Sequence, residues 1–122
     1  MGPKVLIIDD DLDLCVGLTE ILVDEGYQVQ AAASAEQGLE LLGNNGFAAV
    51  LVDIRLPGMD GIEFLKRLKG HPVKSKIFLV SGAPDAKKRV DAEGVAGVVS
   101  CIVGKPFDIP ALLELIKSSI EP

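Results

Sequence analysis

A small set of polar residues in this chain has the types and spacing needed for phosphate chemistry. Three consecutive aspartates at positions 9–11 and a single Asp53 each follow a short apolar run, and so do Ser81 and Lys105. Crowded carboxylates repel one another, and a hard divalent cation relieves that repulsion. A lysine and a hydroxyl can then bind phosphate oxygens. Together the residues predict phosphoryl transfer, which depends mainly on positioning and charge neutralisation.

Five apolar runs, each followed by a helical pattern, are the elements that must position these residues. The runs are rich in Val, Ile and Leu and cover residues 5–8, 28–32, 48–52, 77–80 and 98–103. Continuous apolar runs are typical of strands buried on both faces, whereas the second run alternates like an edge strand. The alternation of strands and helices predicts an α/β fold with a doubly wound, five-stranded parallel sheet. Right-handed crossovers favour the flavodoxin-like order 2-1-3-4-5.

The helical patterns have recognisable ends. A capping box at Ser34 begins the second helix, and Asp60 precedes the third. The first three helices are predicted to stop at Gly26, at Gly43 and at Gly70 before Pro72. The fourth pattern, over residues 84–93, brings little except Ala86 and Val90 to the core, which indicates a weakly packed helix.

The predicted strand order brings the polar residues to one crevice. In this order the ligand crevice lies at the carboxyl ends of strands one and three. Residues 9–11 and Asp53 would meet there, next to Ser81 and Lys105 at the ends of strands four and five. Taken alone, the three aspartates could simply cap a helix, and Asp53, Ser81 and Lys105 could be ordinary loop residues. Their shared position after four different strands favours one site.

Length and composition fit one globular domain over residues 1–122. Cys15 and Cys101 are interpreted as small core residues in a reducing compartment. The net charge of −6 argues against direct nucleic-acid binding, and the one basic run, at residues 87–89, is typical of a solvated helix face. No segment approaches the ~20 apolar residues of a membrane span, and the amino terminus has no signal-peptide layout. A cytoplasmic location without membrane contact is therefore expected.

The sequence resembles the receiver domain of bacterial response regulators over nearly its whole length. The resemblance rests on four stretches in chain order: residues 5–11, 52–61, 80–82 and 104–107. The second is the most specific, because Leu-Pro-Gly-Met-Asp-Gly closely following an aspartate is hard to find outside this family. It implies a CheY-like fold and a place in a two-component signalling system.

The resemblance also implies a metal site and a phosphoacceptor. Asp53 would accept a phosphoryl group from a sensor histidine kinase or a histidine phosphotransfer protein. Asp10, Asp53 and the backbone carbonyl of Arg55 would bind Mg²⁺ directly, with Mn²⁺ as a substitute. Asp9 would act largely through water. The domain would assist its own phosphorylation and dephosphorylation and would not be an enzyme with a separate substrate.

The resemblance further implies that phosphorylation changes one surface of the domain. Ser81 would hydrogen-bond the phosphoryl group, and Lys105 would pair with another of its oxygens. The surface of the fourth helix, fifth strand and fifth helix would then change its affinity for a downstream effector, a fused output domain or a second copy of the domain. One position departs from the family: a Tyr or Phe usually stands three residues before the lysine, where this chain has Ile102.

Three other functions are weighed against this one. A Mg²⁺-dependent phosphatase or phosphotransferase with an aspartyl-phosphate intermediate usually has a second aspartate two residues after the nucleophile, where this chain has Arg55. It would also need a cap domain to enclose its substrate, which is not expected here. An interaction module that no longer takes phosphate is favoured only by Ile102 and disfavoured by the complete acidic set. Flavin binding lacks aromatic residues to sandwich the ring, since the chain has no Trp and its one Tyr, Tyr27, lies near an edge strand.

Overall fold

The computed structural model describes residues 2–44, 46–70 and 74–120. The strands are β1 Lys4–Ile8, β2 Gln28–Ala32, β3 Ala49–Asp53, β4 Lys76–Ser81 and β5 Cys101–Gly104. The helices are α1 Leu12–Asp24, α2 Ala35–Asn44, α3 Gly61–Leu68, α4 Ala86–Ala92 and α5 Ile109–Ile120. All strand pairs are parallel, in the order β2-β1-β3-β4-β5, so the predicted fold class and strand order are confirmed.

Both faces of the sheet are covered by helices. Side chains alternate along each strand, so the apolar runs place apolar side chains on both faces. Leu6 and Val50 pack on one face with the apolar sides of α2, α3 and α4. Ile7 and Leu51 pack on the opposite face with α1 and α5. The two hydrophobic clusters leave the three central strands almost completely buried, as their continuous apolar runs predict.

The predicted helix starts are confirmed and one predicted end is wrong. The Ser34 hydroxyl oxygen accepts a hydrogen bond from the Gln37 amide at 3.1 Å, and the Gln37 side chain accepts one from the amide of Ala33, one residue earlier than in a standard capping box. Gly26 and Gly70 have positive φ values of 98° and 86° just after their helices. The second helix continues past Gly43, which does not adopt a positive φ and so does not break it. Pro72 lies outside the described residues.

The fifth strand begins later than its apolar run suggests. Residues 98–100 were expected in the strand, but pairing with β4 begins only at Cys101. The preceding residues form turns, in which the Val98 amide donates to the Val95 carbonyl at 3.0 Å. Val98 and Val99 pack against the hydrophobic core from this turn, so their apolar side chains imitate a strand in the sequence.

Two smaller expectations complete the fold. Cys15 is buried and Cys101 half-buried, and both are free thiols. Ala86 and Val90 are the buried residues of α4, as predicted for a weakly packed helix. Across the described ranges, no helix has the length and apolar character required to cross a bilayer.

Candidate functional site

The sheet register places the candidate residues at one edge. Ile8 of β1 pairs with Val52 of β3, so Asp9, which follows β1, and Asp53, the last residue of β3, stand at the same level of the sheet. Ser81 at the end of β4 lies beside the residue before Lys105, and the Lys105 amide donates to the Ser81 carbonyl at 2.8 Å. The parallel arrangement thus converts four distant sequence positions into one crevice.

Lys105 joins the two buried carboxylates of that crevice. Its Nζ lies 2.7 Å from Asp53 Oδ2 and 3.2 Å from Asp9 Oδ2. Asp53 is 8% exposed and Asp9 is 4% exposed, so both carboxylates lie largely out of solvent. Charge-assisted hydrogen bonds of this kind are the strong ones, particularly where water is scarce.

The other oxygen of each carboxylate is held by the backbone. The Asp11 amide donates to Asp9 Oδ1 at 2.9 Å, and the Arg55 amide donates to Asp53 Oδ1 at 3.1 Å. Each carboxylate therefore has one oxygen fixed by its own loop and one facing Lys105. This double attachment orients Asp53 before any ligand arrives.

Burial and charge act against each other at this site. Burial raises the pKa of the Asp9 carboxyl, and the opposing effects of the Asp11 amide and Lys105 do not cancel it. Burial acts to lower the pKa of Lys105, but its hydrogen bonds to Asp53 and Asp9 outweigh this effect and the pKa is raised. Lys105 is therefore a firmly charged cation, whereas Asp9 lies where its charge is costly.

Three carboxylates fit a hard divalent cation. Oxygens of Asp9, Asp10 and Asp53 lie within 4.8 Å of one another, with Asp10 exposed and the other two buried. Carboxylate oxygens open to water on one side are the donor set that Mg²⁺ prefers. Asp11 does not belong to this set, because its side chain accepts from the Leu14 amide and caps α1. The helix-cap reading is therefore confirmed for Asp11, whereas metal binding by Asp9 and Asp10 stays a prediction.

Ser81 is buried, and its hydroxyl group can still donate a hydrogen bond. Its Oγ accepts a hydrogen bond from the Ala83 amide at 2.9 Å, and the residue is 3% exposed. A hydroxyl that accepts one bond can still donate its own hydrogen. The carboxyl end of β4 therefore presents a buried donor beside Lys105.

Two residues that support the site were missed by sequence reasoning. A Cβ on Gly61 would lie 2.6 Å from the Asp53 carbonyl oxygen, so only glycine allows α3 to start this close to Asp53. Cys15 of α1 lies beneath the first aspartates, with Sγ 3.4 Å from the Asp9 carbonyl oxygen. Burial raises the pKa of its thiol, and the nearby acidic residues add to the shift. A glycine at the first position of a helix was the available signal for Gly61.

Comparison with known proteins assigns the family. Residues 5–117 match the family described as response regulator receiver domain. The chain belongs to this family.

Its relatives among curated proteins differ in length. The receiver domain is 31% identical to sporulation initiation phosphotransferase F of Bacillus subtilis over 117 residues, which cover 96% of this chain and 93% of that protein. It is 33% identical to the transcriptional regulatory protein FixJ of Bradyrhizobium diazoefficiens over 116 residues, which cover 95% of this chain but only 56% of that protein. The chain thus spans about half the length of this second relative, a transcriptional regulator.

A solved structure of similar shape carries a ligand. The response regulator protein TrrA from Thermotoga maritima, in complex with Mg²⁺ and BeF, superposes with a TM-score of 0.83 at 25% identity. The match covers 97% of this receiver domain and 99% of that chain.

The receiver domain departs from the family pattern near β5. Ile102 is half-buried and lines a groove of about 230 Å³ between α4 and β5, together with Val90 and Cys101. Its β-branched side chain is more restricted at χ1 than the expected aromatic residue and cannot reach as far. The roles predicted for Asp53, Ser81, Lys105 and the metal ligands stay predictions at this stage, as does the backbone carbonyl of Arg55.

Proposed function

We propose that this receiver domain is a phosphorylation-controlled switch whose acceptor is Asp53. The observation that carries the proposal is the position of Lys105, with its Nζ 2.7 Å from an Asp53 oxygen, beside three carboxylates whose oxygens lie within 4.8 Å. This combination supplies an oriented anionic nucleophile and positive charge for the incoming phosphoryl oxygens.

In the proposed reaction the Asp53 carboxylate attacks the phosphorus of a phosphohistidine on a sensor kinase or phosphotransfer protein. A P–O bond forms, the P–N bond breaks, and the released imidazole takes a proton from solvent. Lys105 neutralises one phosphoryl oxygen, and the Ser81 hydroxyl donates to another. Asp9, Asp10 and Asp53, with the Arg55 carbonyl, would hold Mg²⁺ (or Mn²⁺), which when bound neutralises charge on the transferring group.

The consequence is a change in the surface formed by α4, β5 and α5. Drawing Ser81 toward the phosphoryl group moves the loop that leads into α4, and few core contacts hold that helix. The altered surface would bind a downstream effector, a fused output domain or a second copy. Partners of this kind are consistent with a cytoplasmic location for the domain. In this proposal the domain accepts a phosphoryl group and has no separate substrate.

Two alternatives make different predictions. A receiver fold that no longer takes phosphate would bind its partner equally well with Asp53 replaced. A phosphatase would turn over small phosphate esters, yet the position two residues after Asp53 is Arg55, which cannot act as a general acid at neutral pH.

The direct test is intact mass after incubation with acetyl phosphate. With Mg²⁺ present we expect one phosphoryl adduct on the unchanged protein and on the control Asp24→Asn, and none on Asp53→Asn. Asp24 lies at the exposed end of α1, so the control removes the same charge away from the crevice. An adduct that persists in Asp53→Asn, or that forms equally well with the metal chelated, would contradict the proposal.

A second measurement tests the switch separately. Amide NMR spectra with and without beryllofluoride, which has the shape and charge of a phosphoryl group, should differ at Ala86–Ala92 as well as at the crevice. Changes confined to the crevice would leave phosphorylation intact but reject the change of surface.

A further inference from the structure

The basic residues of this chain are concentrated in one stretch. Five lysines and arginines lie between residues 64 and 84, and this stretch contains no Asp or Glu, although the whole chain has a net charge of −6. It covers most of α3 and all of β4. The sequence pattern concealed the concentration, because apolar residues separate the basic ones.

A cavity lies where this stretch passes from α3 to β4. Its volume is about 430 Å³, within the range of small-molecule sites. The end of α3, the start of β4 and the turn before β5 line it, at the edge of the sheet opposite to Asp53. Lys69, Lys74 and Lys76 belong to its lining, and the described lining includes no carboxylate.

The three lysines have no acidic partner within the described ranges of the chain. None of the ion pairs found there includes Lys69, Lys74 or Lys76. Glu93, next to the cavity, already pairs with Lys66. Lys69 Nζ lies 3.2 Å from the place that a Cβ on Gly94 would take, so this ammonium lies against the turn that closes the cavity. Three positively charged residues therefore line the cavity, and the described part of the chain supplies no counter-ion for them.

We propose that this cavity binds a small soluble anion carrying two or more phosphate groups. A lysine ammonium is a compact point charge that suits phosphate oxygens, and several of them favour a multiply charged ligand. The Ser100 hydroxyl adds a donor, because its Oγ accepts from the Ile77 amide at 3.0 Å and keeps its own hydrogen. The described lining has no aromatic ring on which a base could stack, which disfavours a nucleic acid as the ligand.

The site is independent of the proposed phosphorylation. It shares no residue with the crevice of Asp9, Asp53 and Lys105, and it needs no metal. A failure of one proposal therefore says nothing about the other.

The test is a titration of the full chain with sodium pyrophosphate in metal-free dilute buffer, followed by amide NMR. We expect saturable shifts at residues 69–70, 74–77 and 94–100, with the amides of Asp9 and Asp53 unchanged. Sodium chloride at the same ionic strength should not produce them. Orthophosphate should bind more weakly, because it presents one phosphate group to the same lysines.

Charge-matched variants decide the assignment. Replacing Lys69, Lys74 and Lys76 together by Gln should raise the dissociation constant about tenfold or more, as expected for the loss of at least one charge-assisted hydrogen bond. The control replaces Lys87, Lys88 and Lys117 by Gln, which changes the net charge equally, and should bind as the unchanged protein does. If the first variant is unfolded by circular dichroism, Lys74→Gln with Lys76→Gln replaces it.

Three results would overturn the proposal. One is the absence of saturable shifts with pyrophosphate. Another is an equal loss of affinity in the two triple variants, which would indicate a general charge effect. The third is a set of shifts centred on Lys105, which would place the anion in the phosphoacceptor crevice.

Discussion

Strand β3 and the segment from α4 to β5 belong to the same domain but pack very differently. Every residue of β3 is buried, including Asp53 at its end. In contrast, one of four residues in β5 and two of seven in α4 are buried. The difference separates two expected tasks: the proposed acceptor is held by core packing, whereas the segment expected to transmit the signal has few buried residues and can move at low cost.

The largest expected contrast is in stability. Leu51→Ala in β3 removes a side chain that is 2% exposed and should cost about 2–5 kcal/mol of unfolding free energy. Ile102→Ala removes a half-buried side chain at the edge of an existing groove, so its cost should lie at or below the lower end of that range. Urea denaturation with unchanged slope measures both. Equal losses would show that the two regions are packed alike.

The next largest change in stability is expected where the backbone of α3 passes close to Asp53. Gly61→Ala should destabilise the domain by about 1–3 kcal/mol, because the new Cβ would lie 2.6 Å from the Asp53 carbonyl oxygen and 2.7 Å from Ile54 Cα. The matched change Gly17→Ala, in α1 with no atom within 4 Å of the new Cβ, should stabilise it by about 0.5–1 kcal/mol. Effects of the same sign at both positions would contradict this account.

A smaller effect depends on pH. Because the pKa of Asp9 is raised in the folded protein, its favourable contribution is fully present below the ordinary carboxyl pKa and is lost as pH rises through the raised value. Without divalent cations at neutral pH, Asp9→Asn should therefore increase the unfolding free energy, by less than the Gly61 effect. The gain should vanish in acid.

Asp13→Asn serves as the control for this prediction. Asp13 is exposed in the first turn of α1, where its charge complements the helix dipole, so the substitution should reduce stability slightly. Thermal unfolding of both variants across the acidic range measures the difference. Stabilisation by Asp13→Asn as well would point to the net charge of the chain and away from burial of Asp9.

The smallest expected effect is at Ile102. The groove of about 230 Å³ beside it can receive a larger ring, so Ile102→Tyr should change stability by less than about 1.5 kcal/mol. The rate of phosphoryl adduct formation at Asp53 should stay the same, while the amide shifts of α4 on phosphorylation should grow. A changed rate of adduct formation would show that the two regions are not separable.

The sequence predicts the buried central strands better than the loosely packed segment from α4 to β5. Continuous apolar runs identify β1, β3 and β4 because burial on both faces leaves no other pattern, and polar residues at their ends must then converge. The start of β5 could not be predicted, since Val98 and Val99 in a turn have the same apolar character as a strand. Local pairing with Ile77, through both the amide and the hydroxyl of Ser100, decides the boundary.

The sequence also could not show that residues of the same motif have different contacts. Residues 9–11 are chemically identical, yet Asp11 caps α1 while Asp9 and Asp10 face the crevice. Only the direction in which the chain leaves β1 distinguishes them. The basic cavity is a similar case, because Lys69 and Lys76 belong to different elements and become neighbours only through the fold.

The bridge from Lys105 to Asp9 and Asp53 also sets an electroneutrality condition on the crevice. Three carboxylates and one ammonium leave two uncompensated negative charges, which one divalent ion balances and a monovalent ion does not. A phosphoryl group added to Asp53 would bring one further negative charge. The Ser81 hydroxyl and the loop after it carry dipoles that can stabilise this added charge. With a divalent ion bound, the site would be neutral at rest and would attract that loop once modified.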